Sequence, residues 1–253
     1  MNRFIAYFDY LGYKQFIENN DFKETCRIMG FNYRDMEHAL GQGKRADTPL
    51  GKIADLAGSQ IKCINFSDTV IFFTVDTSDS SLVEILKVSY LFNWKSIIYT
   101  FPVRGSLTYG EMKYVDHQRG EGEYGKVFNI NSVFGKGLVN AHYKAEAQEW
   151  AGTVIDSSFT SEIEKRGYNL QEFLFPYAKK FKVPYSKKIV EYIEDEYVLK
   201  IVEEQLDEKT FKNVSQRIRE NFAQYNKSIA DDRVQQKISN TLQFLESYYV
   251  KTK

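Results

Sequence analysis

Residues 4–8 of this chain read Phe-Ile-Ala-Tyr-Phe, a run of aromatic and aliphatic residues that stops at Asp9. The run predicts a β-strand, and residues 61–66 and 70–75 predict two more. Between the latter two, Phe66-Ser67-Asp68-Thr69 leaves room only for a tight hairpin turn. The chain is thereby committed to a sheet that carries an aspartate at the end of one strand and another at a neighbouring turn.

Composition narrows the setting. The 253 residues suit one large domain, or a domain with an extension. The 34 basic and 34 acidic residues balance, so no net field draws nucleic acid or an anionic membrane. Cys26 and Cys63 cannot make a disulfide framework, and with three dispersed histidines they form no zinc pattern. Cys63, inside an apolar strand, is expected to be a small core residue. The first residues lead directly into a strand and lack signal-peptide character, and no run is apolar enough to span a bilayer. A cytoplasmic protein is expected, with no nucleic-acid or membrane partner.

Along the chain, residues 13–40 carry an intermittent helical apolar face. Residues 41–58, rich in glycine and containing Pro49, read as a long mobile loop. Within it Gly41-Gln42-Gly43-Lys44-Arg45 falls short of a phosphate-loop motif and more simply makes a flexible loop that covers substrate. A helix follows through Leu82, Ile85, Leu86 and Tyr90 until Pro102. Residues 103–109 are a fourth strand, and a Gly- and Glu-rich loop spans 120–125. A helix from about Asn131 follows, marked by Val133, Leu138, Ala141 and Ala145, and residues 153–155 close the pattern. This order predicts an α+β sandwich of ferredoxin-like or polymerase-palm type over residues 1–156. Residues 157–253 are expected to form a mainly helical extension packed on it, with one strand near 197–202.

Two carboxylates on adjacent strand ends form a hard, oxygen-rich site suited to Mg²⁺ or Mn²⁺, and with it to a nucleoside triphosphate. Singly, each aspartate is more simply a turn residue; their order and company give the pair its weight. That company is FDYLGY at 8–13, FSDT at 66–69, RGSLTYGE at 104–111 and FGKGLVNAHYKAE at 134–146, with KISNTLQFL at 237–245 as a weaker match. In this order the segments resemble the class III nucleotidyl cyclases, and within them the bacterial pyrimidine cyclases of Pycsar antiphage systems.

The resemblance implies a homodimer with active sites at the subunit interface and Asp9 and Asp68 as metal ligands. It also implies conversion of a nucleoside triphosphate to a 3′,5′-cyclic monophosphate, which signals to a separate effector in antiphage defence. Arg104, in the family's Arg-Gly pair, would offer a donor fork to a phosphate as a catalytic group; an ordinary strand-end ion pair is an equally open account. Purine cyclases commonly carry Lys four positions before the second aspartate, where this chain has Ile64. Their Asn and Arg on a later helix correspond loosely to Asn140 and Lys144, which a solvated helix face would also explain. These departures favour a pyrimidine, with Lys62 or Asn65 meeting the base edge; strand alternation lets only one of them face the site. UTP is the expected substrate and CTP the close alternative. His38, His117 and His142 have no support as catalytic groups. A nucleotide-joining palm or GGDEF-like enzyme would show an acidic pair or Gly-Gly at the turn that reads Ser-Asp-Thr here. A non-catalytic nucleotide-sensing or dimerisation module stays open.

Overall fold

In the computed structural model, residues 1–49, 51–119, 128–186 and 195–250 are described. In chain order the elements are β1 (Asn2–Tyr10), α1 (Tyr13–Asn19), α2 (Phe22–Leu40), β2 (Arg45–Thr48), β3 (Gly51–Ala54), β4 (Ile61–Phe66), β5 (Thr69–Thr74) and α3 (Asp79–Tyr99). There follow β6 (Val103–Glu111), β7 (Lys113–Arg119), β8 (Phe128–Phe134), α4 (Lys136–Glu146), β9 (Gly152–Ile155), α5 (Ser157–Lys165) and α6 (Leu170–Leu174). The last are β10 (Ala178–Phe181), β11 (Glu196–Leu199), α7 (Glu208–Ala223) and α8 (Asp232–Glu246).

Seven strands make one sheet in the order β10-β11-β9-β6-β1-β5-β4. Only the β6–β9 pairing in it is parallel. β1 is central, and its alternation serves two cores at once. Phe4, Ala6, Phe8 and Tyr10 join the larger cluster, with Phe72, Phe92, Trp150 and Phe244. Ile5 and Tyr7 join a smaller one with Ile71, Phe73, Ala141 and Ala145. Burial on both faces explains why β1 shows no polar alternation. The larger cluster is roofed by α3 with α2 and the later helices. The smaller one lies under α4 and the β7–β8 hairpin.

α4 sits against the sheet because two glycines let it. A Cβ on Gly137 would lie 2.8 Å from the Gly110 carbonyl carbon and 3.0 Å from Ile5 Cδ1. The expected fold class is therefore present, with several corrections of detail. Residues 41–58 carry the small β2–β3 hairpin; its side chains are largely exposed, so it has no apolar alternation to read. Residues 128–134 are a strand, and the helix expected from Asn131 begins at Lys136: Val133 packs as a strand residue on the smaller cluster. The 120–125 loop lies outside the described residues.

The sheet also runs across residue 156, since β10 and β11 extend it beyond β9. β11 covers 196–199, and the neighbouring Ile201 and Val202 are buried outside any strand. Cys63 is only partly buried, yet it packs against the larger cluster, and burial pushes its thiol up to about 12.

Candidate active site

Strand register gathers the first group of side chains. Asp9 stands opposite Thr69 on β5 and opposite Arg104 on β6. Phe66 pairs with Thr69, so Ser67 and Asp68 form a two-residue hairpin turn. Ser67 takes φ 56°, the positive value such a turn demands of a central residue. The Tyr10 amide then donates to the Asp68 carbonyl at 2.9 Å, which ties the turn to the end of β1.

The electrostatics of Asp9 follow from this convergence. Its Oδ2 accepts from Arg104 Nε at 2.8 Å and lies 2.8 Å from Nη2. Burial raises the Asp9 carboxyl above its ordinary value, Arg104 pulls it back, and the Asp68 carboxylate raises it again. The net effect is upward. Two acids thus share one end of the sheet with incomplete compensation, an arrangement that a divalent cation would relieve. Among the described residues no group of three His, Cys, Asp or Glu side chains is placed to hold an ion. That still suits Mg²⁺, which takes one or two carboxylates and completes its shell with water and substrate phosphates. The residues present fit the ion.

Arg104 also donates Nη1 to the Glu146 carbonyl at 3.0 Å, so it bridges β1 and the end of α4 within one chain. Lys62 and Ile64 lie on the face of Tyr7 and Asp9, because they pair with Phe73 and Ile71 of the smaller cluster. Lys62 is exposed, with its ammonium 4.8 Å from the Tyr114 ring centre. Asn65 alternates to the other face, and its Nδ2 donates to the Thr69 carbonyl at 2.9 Å, bracing the turn. Asn140 is exposed on α4. Lys144, one turn on, is half-buried rather than solvated: its ammonium pairs with Glu196 at 2.6 Å and lies 3.8 Å from Asp156. The structure thus unites Asp9, Asp68 and Arg104, while Lys144 is engaged elsewhere.

Beside these acids lies a groove of about 690 Å³, lined by Tyr7, Ile64, Ile71, Val133, Leu138 and His142, among others. Tyr7 Oη sits 3.2 Å from Thr69 Oγ1 and 3.1 Å from His142 Nδ1. Tyr7 and the Tyr7–His142 contact escape sequence reasoning. The period-two pattern of β1 does place Tyr7 on the face of Asp9, but nothing in the sequence reports that α4 brings His142 over it.

The sequence matches no protein-family model and no curated protein. Among solved structures, the chain is similar to the catalytic core of a rhodopsin-guanylyl cyclase with converted specificity in complex with ATPαS. That likeness has a TM-score of 0.52 at 8% identity, over 78% of this chain and 94% of that one. The chain has the class III cyclase fold. A dimeric guanylyl cyclase domain of the RhoGC fusion protein from the aquatic fungus Blastocladiella emersonii is similar at TM-score 0.49 and 7% identity, over 78% and 95% of the two chains. The adenylyl cyclase CyaB from P. aeruginosa is similar at 0.44 and 12%, over 81% and 95%. The fold assignment rests on the first of the three. In this cyclase fold, Asp9 and Asp68 occupy the end of the central strand and its neighbouring hairpin turn.

Proposed function

We propose that the chain is a metal-dependent nucleotidyl cyclase that converts UTP to 3′,5′-cyclic UMP and pyrophosphate, with CTP as the close alternative. The observation that carries this reading is the convergence of Asp9 and Asp68 beside an open groove in a cyclase fold. Asp9 and Asp68 would hold Mg²⁺ or Mn²⁺. When bound, such an ion lowers the pKa of the ribose 3′-hydroxyl and neutralises the departing phosphates. The 3′-hydroxyl gives its proton to water, and the 3′-oxygen forms a bond to the α-phosphorus as the bond from that phosphorus to the pyrophosphate oxygen breaks. Arg104 orients the Asp9 carboxylate through its ion pair, and any N–H left free by Asp9 and the Glu146 carbonyl would serve a phosphate.

Support for a pyrimidine comes from the wall of the groove. Ile64 stands where a purine reader would carry a charged donor, and Ile71, Val133 and Leu138 continue that apolar wall, with Asn65, Asn131 and Ser132 supplying neutral polar groups. Lys62 shares the face of Ile64 but lies outside the groove lining, whereas Asn65 lines the groove and braces the turn; one of the two would meet the base edge.

A homodimer is proposed from the exposed apolar rim of this face: Phe66 is 80% and Tyr143 64% exposed, with Val139 beside them. Asn140 lies on the same helix and would serve the partner's site. Among the described residues no helix is long and apolar enough to cross a membrane, in keeping with a cytoplasmic enzyme whose cyclic product acts on a separate effector. One observation favours the non-catalytic alternative, a nucleotide-binding or dimerisation module: Arg104 already neutralises part of the Asp9 charge.

Incubation with each of the four ribonucleoside triphosphates and Mn²⁺, with products identified by mass, tests the proposal. Cyclic UMP or cyclic CMP supports it. A dominant cyclic purine overturns the base assignment, and no cyclic product with any nucleotide leaves the binding-module reading.

A further inference from the structure

Between α7 and α8 the chain doubles back onto its own beginning. Tyr225 and Asn226 both hold left-handed backbone, at φ 62° and 58°, a sparsely populated conformation for residues other than glycine. The bend is pinned to α1 and the residues just after it. Asn19 Nδ2 donates to the Asn226 carbonyl and Asn20 Nδ2 to the Tyr225 carbonyl, each at 2.7 Å. The Ser228 amide donates to Gln15 Oε1 at 2.9 Å. What this bend delivers is Lys227. That residue is 6% exposed, and its ammonium has no hydrogen-bond partner.

The ammonium lies 3.8 Å from the centre of the Phe101 ring, a cation–π contact. Tyr10, Tyr13, Phe16 and Tyr225 surround that ring, with centres 5.1 to 6.5 Å from it. The stem of Lys227 runs along Gly12, where a Cβ would stand 3.0 Å from Lys227 Cδ. Gly12 has φ 80° and lies in the turn that leaves β1 three residues after Asp9. An apolar side chain would fill this space without the cost of removing an ammonium from water. A lone buried cation against the turn beside two acids makes sense where a highly charged anion arrives on the other side.

We propose that Lys227 is a positioning residue for the phosphate chain of the substrate, holding a positive charge behind the Leu11–Gly12 turn. This rests on the reading of Asp9 and Asp68 as a nucleoside triphosphate site. Burial alone lowers the Lys227 ammonium to about 7. The titratable groups around its ring are the phenols of Tyr10, Tyr13 and Tyr225, all raised by burial and therefore neutral near pH 7. Asp35, Glu24 and Arg27 act on the phenols of Tyr10 or Tyr225 from further out, but among the described residues no carboxylate bonds to the Lys227 ammonium itself. A polyphosphate at the turn favours the protonated form, so its binding draws a proton onto Lys227 near and above neutral pH.

The test is calorimetric titration of magnesium tripolyphosphate into the whole protein at pH 6.5 and 8.5, in buffers of different ionisation enthalpy. Wild type is compared with Lys227→Met, which keeps the stem and removes the charge, and with Lys227→Arg, which keeps the charge at every pH. Relative to Lys227→Met, wild type is expected to bind about tenfold more tightly at pH 6.5. At pH 8.5 the gap narrows and wild type takes up an additional proton. Lys227→Arg is expected to bind tightly at both pH values, with no additional proton. Where a nucleotide is turned over, the Lys227→Met loss should appear in KM rather than in kcat.

Equal affinity and equal proton uptake in wild type and folded Lys227→Met overturn the proposal, as does failure of wild type to bind tripolyphosphate. If Lys227→Met does not fold, Lys227→Arg decides: a pH dependence identical to that of wild type overturns it. None of the calorimetry needs turnover. A protein that binds tripolyphosphate through Lys227 yet cyclises nothing therefore refutes the cyclase reading alone.

Discussion

At the scale of single residues, the site turns on the balance around Asp9. Its carboxyl is raised by burial and by Asp68 and lowered by Arg104, and it must be ionised to hold a cation. Turnover is therefore expected to fall on acidification at a pH above the ordinary aspartate range. Raising Mn²⁺ should move that acid limb down, because the ion binds the ionised form. Arg104→Ala should move it up, because the largest lowering influence is gone; a pH–rate profile of both proteins checks the two signs. The ion pair also lies within one chain, so mixing Asp9→Ala with Arg104→Ala subunits should restore nothing. Asp9, Asp68 and Arg104 were legible in the sequence because strand ends and tight turns have strong local signatures. The engagement of Lys144 by Glu196 was not, since those partners are 52 residues apart and no local rule links them.

At the scale of elements, close approach decides the architecture. α4 rests on β1 and β6 through the Gly110–Gly137 contact, which brings His142 over Tyr7 and the Glu146 carbonyl over Arg104. Gly137→Ala is expected to lift the helix and to cost about 1–3 kcal/mol, as overpacking generally does. Thermal melting should show the destabilisation, and a melting temperature equal to that of wild type would refute this account of the motif. β1 and β5 were readable because burial wrote apolar runs into them; β4, mostly half-buried with Lys62 and Phe66 exposed, was readable from the tight turn that joins it to β5. The β2–β3 and β7–β8 hairpins bury little, so their sequences carry too weak an alternation to separate them from loops.

At the scale of the whole molecule, the C-terminal helices brace the sheet. Thr241 Oγ1 accepts from the buried Ala151 amide at 2.8 Å, and Asn240 Nδ2 donates to the Glu149 carbonyl at 2.7 Å. Phe244 packs on Trp150 and Phe181, and Lys237 pairs with Glu149. The segment 237–245, a weak motif in sequence, is thus the clamp on the α4–β9 joint. Thr241→Val leaves the Ala151 amide unpaired and is expected to cost about 1–3 kcal/mol, measurable by denaturant unfolding. Little change would mean that the clamp is dispensable. The helical pattern of this extension and a strand near 197–202 could be read in advance; that β10 and β11 complete the same sheet could not, because four-residue strands leave almost no periodic signal and nothing local names their partners.

The central claim is that Asp9 and Asp68 together make this fold a metal-dependent cyclase, and Asp68→Ala tests it most directly. Asp68 lies at a turn and outside both hydrophobic clusters, so the variant should fold. With Mn²⁺ and the nucleotide that wild type converts, folded Asp68→Ala is expected to yield no cyclic product. Full activity in that folded variant would contradict the account.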